Sequence, residues 1–169
     1  MTYLAYVHYY LGIDVTQHTN FIFLSHKKYI EDLLNNFVIV ECGPLITAME
    51  QNLKLTSTKG KEFEDETKYK QLVGSINYLT TTRINISFVA GIISRFMKKP
   101  WEGHWSTIKG VLKYLKGTQD FGLKYTQVGD FNLIGYFDSN FNRDKENRVS
   151  TSSYVMSLGS GVICWRSHK

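Results

Sequence analysis

Apolar positions recur along this chain with two different periods, and the change of period divides it. Between residues 69 and 117 they return every three or four residues, which is one face of an α-helix. Tyr69, Leu72, Ile76 and Leu79 make the first such face, within 69–82. Phe88, Val89, Ile92, Ile93, Phe96 and Met97 make a second, within 86–98, with Pro100 as its stop. Trp105, Ile108, Leu112 and Leu115 make a third, within 101–116, ending at Gly117. A further helix is expected from Ser25, as N-cap, through Asn36, with Tyr29, Ile30, Leu33, Leu34 and Phe37 inward.

On either side the period is two. Val7, Tyr9, Leu11 and Ile13 alternate, and 21–24 is a second short apolar run. With Gln17-His-Thr-Asn as turn chemistry between them, residues 6–24 predict a hairpin. After Phe121, the stretches 123–125, 133–138, 152–158 and 162–165 read as strands, with turns at Gly129-Asp130 and Gly159-Ser-Gly161. Residues 38–66 carry Gly43-Pro44 and a polar, lysine-rich run without periodicity, the mark of a surface linker. The fold class is therefore α+β: an N-terminal β-hairpin (1–24), a central helical bundle (25–120) and C-terminal antiparallel strands (121–169).

Charge adds a location to this outline. The formal net charge is +5, and residues 83–124 hold eight Lys and Arg against Glu102 and Asp120. That basic region suits a polyanion, although weakly basic domains without such a partner are common. Lys109, Lys113 and Lys116 share a stripe beside the apolar face of their helix; the bland reading is a solvated lysine face. Cys42 and Cys164 belong to no CxxC or Cys/His cluster, so a zinc site is not expected and free thiols in a reducing compartment are. The N-terminus lacks the basic and apolar regions of a signal peptide, and no apolar run approaches 18 residues. An intracellular protein without a membrane partner is the expectation.

Several longer strings occur in one order: YYLGIDV (9–15), YKQLVGSINYLTTTR (69–83), SRFMKKPWEGHW (94–105), VLKYLKGT (111–118), LIGYFDS (133–139) and VSTSSYVMSLGSGVICWRSHK (149–169). Together they resemble the Ty1/copia class of retrotransposon Pol polyprotein, from the back half of its reverse transcriptase to the opening of its ribonuclease H domain. Ordered motifs are far more specific than any single short pattern. The resemblance makes residues 1–24 the end of the palm with a primer-grip-like hairpin, 25–120 thumb and connection helices, and 121–169 an incomplete ribonuclease H-like domain.

It also implies site residues. Tyr10, Leu11 and Gly12 fall where polymerases hold the primer end, Gly12 letting the backbone approach closely; a glycine easing a strand bend is the alternative. Lys70, Gly74 and Tyr78 fall in one line on the thumb helix, able to follow a minor groove. The alternative makes Gly74 a helix–helix contact and Tyr78 a core residue. Lys109, Lys113 and Lys116 would add phosphate contacts. Asp138 matches the first ribonuclease H aspartate, a ligand for the Mg²⁺ ions of the intact enzyme, where an acid ending a strand is otherwise a turn residue. For His104 and Trp105, packing is favoured over base stacking.

The chain also departs from the family pattern. Ile46-Thr47-Ala48-Met49 stands for Ser-Thr-Pro-Met, Arg83-Ile84-Asn85 for Arg-Pro-Asp, and Asn140 for a second aspartate. The Tyr-x-Asp-Asp hairpin of the polymerase and the remaining ribonuclease H carboxylates are missing, so no catalysis and no bound metal are expected of these residues by themselves. Three readings stand: a polyprotein fragment from a degenerate copy, a non-catalytic module that binds an RNA/DNA hybrid or duplex, and a piece of an active enzyme completed by the rest of Pol. An exposed face and edge of a short sheet, and hence marginal folding, are expected.

Overall fold

The computed structural model describes residues 6–37, 43–49, 61–127, 131–140 and 151–168. Four helices and two antiparallel sheets make an α+β fold. The first sheet has strand order β1-β2-β3-β4, from β1 (Tyr9–Tyr10), β2 (Ile13–Gln17), β3 (Phe21–Ser25) and β4 (Gly122–Thr126). The helices lie between β3 and β4 in sequence: α1 (Lys27–Asn36), α2 (Glu66–Leu79), α3 (Ser87–Ser94) and α4 (Glu102–Gly117). A three-stranded meander follows, β5 (Leu133–Asn140), β6 (Thr151–Leu158) and β7 (Gly161–His168).

The N-terminal stretch is two hairpins rather than one. Leu11 (φ 48°) and Gly12 (φ 83°) both lie in the left-handed region, so the chain reverses between β1 and β2, as in the two-residue turns that match strand twist. The alternation from Val7 to Ile13 ran through a turn short enough not to disturb it, so these residues do not share one face. The second reversal falls at His18–Phe21, close to where turn chemistry placed it.

Helix starts differ from expectation for a local reason. Ser25 ends β3, and α1 begins after His26, which makes no side-chain cap. The Asp14 carboxylate on β2 instead accepts from the Lys28 N–H at 3.1 Å, a cap supplied by a neighbouring strand. α2 starts three residues before Tyr69, because Asp65 accepts from the Lys68 N–H at 2.9 Å. The sequence pattern places Asp65 in the surface linker 38–66. The described pieces of the linker are docked: the Leu45 N–H reaches the Lys113 carbonyl at 3.3 Å, and Ala48 and Met49 pack on the core.

The core forms where the helical faces meet. Ile30, Leu33 and Leu34 of α1 join Tyr69, Leu72, Val73, Ile76 and Leu79 of α2, Val89, Ala90 and Ile93 of α3, and Ile108, Val111, Leu112 and Leu115 of α4. Phe88, expected inward, is exposed, because Ile86, Val89, Ala90 and Ile93 take the buried positions and α3 ends at Ser94. An almost wholly apolar helix does not reveal its face by composition. His104 stacks on Phe96 (3.7 Å) and Trp105 on Phe63 (4.5 Å), so both rings serve packing.

β4 was expected with the C-terminal strands, but it pairs along its length with β3 and closes the first sheet. The meander leans on this unit through β7. The Trp165 Nε1–H donates to the Thr80 carbonyl at 3.0 Å, and the Tyr125 hydroxyl donates to the Val162 carbonyl at 2.6 Å. At the far edge β5 is exposed on both faces, with Leu133, Ile134, Tyr136 and Phe137 in solvent, as expected of an uncovered edge strand. No helix among the described residues is long and apolar enough to cross a membrane. The Gly129-Asp130 turn lies outside the described residues.

Candidate nucleic-acid interface

Part of the expected line comes together at one junction. The Tyr78 hydroxyl donates to the Leu11 carbonyl, which ties the β1–β2 turn to the C-terminal end of α2. Gly12 lies against that hydroxyl: a Cβ there would stand 2.7 Å from it, so glycine is required by both backbone angle and space. Tyr10 and Leu11 project into solvent beside the contact, 63% and 73% exposed. A leucine at positive φ is a strained residue held by its surroundings.

Behind Tyr78 three rings meet edge to face. Tyr78 is 4.8 Å from His26 and 5.0 Å from Tyr29, centroid to centroid. His26 is fully buried, its Nδ1 lies 2.5 Å from the Thr82 hydroxyl, and its Nε2 has no hydrogen-bond partner among the described residues. Burial pushes the His26 pKa down to about 4; the Asp14 carboxylate opposes this and the Arg83 guanidinium adds to it. No sequence signal singled out His26, because a histidine between a strand and a helix has no pattern of its own.

Along α2, Lys70 and Gly74 continue the exposed line. Lys70 Nζ pairs with Glu66 at 2.8 Å, so part of its charge is already met. Gly74 is exposed, and a Cβ added there would touch nothing within 4 Å. Among the described residues, then, Gly74 makes no helix–helix contact. The lysines of α4 sit elsewhere: Lys109 is exposed, while Lys113 and Lys116 are half-buried on the helix side where Pro44 lies against Gly117 and Leu45 approaches Gly110. The described interactions do not join them to the Tyr78 junction.

Arg83, counted above with the basic region, is 2% exposed and is not available to a polyanion. Its guanidinium donates to the Thr118 carbonyl at 2.8 Å and the Thr118 hydroxyl at 2.6 Å. It is a structural clamp on the end of α4.

Asp138 stands on β5, exposed, opposite Ser153 of β6. No group of three His, Cys, Asp or Glu side chains comes together among the described residues. A two-metal centre needs a convergent carboxylate set, and Asp138 with these neighbours does not provide one.

The chain is 35% identical to the retrovirus-related Pol polyprotein from transposon RE2 of Arabidopsis thaliana over 96% of its length. It is 36% identical to the corresponding polyprotein from transposon RE1 over the same share. In each case it spans 11% of the relative's length. It is also 33% identical to an uncharacterised mitochondrial protein of the same plant, covering 96% of this chain and 67% of that protein. No family model matches the chain. No solved structure matches it.

Proposed function

Because the chain belongs to the Ty1/copia-type retrotransposon Pol family, we propose that it is the thumb and connection of a reverse transcriptase followed by the opening strands of a ribonuclease H-like unit. In this reading its own task is to hold an RNA/DNA hybrid, with the β1–β2 turn on one strand and the line of Lys70, Gly74 and Tyr78 along the groove. In this reading the Mg²⁺ chemistry of the family belongs to carboxylates outside these residues. The rest of the Pol polyprotein is the partner that would supply it.

Gly74 carries this reading. A glycine inside a helix costs about 1 kcal/mol against alanine, and here no packing contact accounts for it. A ligand backbone drawn close to the helix would. The turn anchored on Tyr78 extends the same surface, and Lys70 supplies an exposed charge beside it.

Gly74→Ala separates the two accounts because it moves two quantities in opposite directions. Denaturant unfolding should show the variant more stable by about 1 kcal/mol. Fluorescence anisotropy with a labelled RNA/DNA hybrid should show affinity reduced about tenfold at low salt. Lys70→Gln should lower the salt slope by about one contact. Unchanged or tighter binding by Gly74→Ala would remove the observation on which the groove contact rests. Cleavage or extension of the hybrid in Mg²⁺ would place an active centre on this chain and refute the division of labour.

A further inference from the structure

His26 packs edge to face on rings of α1 and α2 and meets Thr82 beyond α2, and a fully buried ring whose Nε2 has no hydrogen-bond partner among the described residues is an unusual thing to keep there. From this arrangement we propose that His26 is the positioning residue of the Tyr78–Leu11 junction, and that adding a proton to its ring releases the β1–β2 turn from α2.

The argument begins with what faces the ring. β2 presents Asp14, α1 presents Tyr29, α2 presents Tyr78, and the residues after α2 present Thr82 and Arg83. In the neutral ring Nδ1 is matched to Thr82 and the second nitrogen is left without a partner. A proton taken from solvent makes both nitrogens donors, and Nε2–H then has no acceptor among the described residues. Asp14 favours that charge, but burial and Arg83 outweigh it, which is the direction of the depressed pKa.

Relief requires water at Nε2, and the weakest wall of the site is Tyr78. Ile30, one turn further along α1, and Leu79, next to Tyr78 on α2, are fully buried in the core. Tyr78 is half-buried, and its hydroxyl is held by the carbonyl of Leu11, a strained and mostly exposed residue. Swinging the Tyr78 ring aside wets His26 at the cost of that one hydrogen bond. The ring that accepts the proton thereby controls the turn.

Linkage fixes sign and size. The closed junction holds His26 near pKa 4, and an opened one returns it to about 6.5. The open form binds the proton more readily, so protons do not favour opening above pH 6.5 and favour it increasingly as pH falls toward 4. Between pH 7.5 and 5 the open-to-closed ratio should rise roughly 30-fold.

The test is nuclear Overhauser contacts between the Tyr78 ring and the Gly12 α-protons in the full chain, followed from pH 7.5 to 5. They should fade with acid in the native protein and persist in His26→Gln, or in His26→Phe should the first variant not fold. Contacts that persist in the native chain at pH 5, or that fade equally in the variants, overturn the proposal. A parallel titration with the RNA/DNA hybrid rests on the function proposed above: affinity should fall with acid in the native chain and far less in His26→Gln. If the contacts respond to pH as expected while no hybrid binds at any pH, the positioning role stands and the hybrid-holding function fails.

Discussion

Arg83→Ala should lower the unfolding free energy by about 3–4 kcal/mol, a large part of the 5–15 kcal/mol typical of a domain. Thr118 follows the last turn of α4, and the Arg83 guanidinium donates to both its carbonyl and its hydroxyl. The same guanidinium lies 5.8 Å from the centre of the Tyr114 ring and 5.6 Å from that of Phe121. Truncation leaves a helix-end carbonyl unsatisfied and opens a void between α4 and the turn after α2. Both costs act together, since the residue is only 2% exposed.

The opposing term is the charge itself. Burial pushes the Arg83 pKa down, and Tyr114 only partly offsets this. Its partner through Nε is neutral: Asn85 Oδ1 accepts from Arg83 Nε at 3.4 Å, and the Asn85 amide donates to the Tyr114 hydroxyl. The family pattern has an acid at this position. Asn85→Asp should therefore stabilise the chain by about 1 kcal/mol at neutral pH, with the Tyr114 hydroxyl turning to donate to the new carboxylate. Arg83→Met, which keeps bulk but drops the charge, should fall between alanine and the native residue. Denaturant midpoints give the order. A methionine variant more stable than the native chain would show the guanidinium to be a net burden.

These residues also show where sequence reading reaches its limit. Tyr69, Leu72, Ile76 and Leu79 are buried as their spacing required, because helix periodicity is local and each residue reports its own face. Arg83 follows the same helix, and nothing in its neighbours in sequence distinguishes a buried clamp from a surface charge. Its partner Thr118 is 35 residues away. The junction at Tyr78 was legible in part: Gly12, Gly74 and Tyr78 were marked by the family resemblance, while the meeting of Tyr78 with the β1–β2 turn depends on a contact across 67 residues. His26 was not legible, since its role comes from the rings of α1 and α2 around it. β4 teaches the same lesson. Alternation identified a strand at Leu123-Lys-Tyr, but alternation carries no information about which edge a strand will join.

That edge choice leads to the second large effect, at the seam between the two sheets. Gly161 is buried where β7 begins, and a Cβ added there would stand 2.2 Å from Cδ1 of the Tyr125 ring of β4. Gly161→Ala must push that ring away and break its bond to the Val162 carbonyl, and the neighbouring Thr126 N–H bond to Ser160 Oγ (2.8 Å) is carried on the same turn. Overpacking of this kind costs about 1–3 kcal/mol. Because the helical core contains no residue of β5, β6 or β7, the loss should be local. Hydrogen exchange by mass spectrometry should show faster exchange over 151–168 and unchanged protection over 69–79. Trp165→Phe removes the second tie, to the Thr80 carbonyl, and should act in the same direction by about 1 kcal/mol. With both changes the meander should exchange freely while α2 and α4 stay protected. Equal loss of protection in both regions would mean that the meander and the helical core fold as one cooperative unit, and that the seam is part of the core rather than a joint.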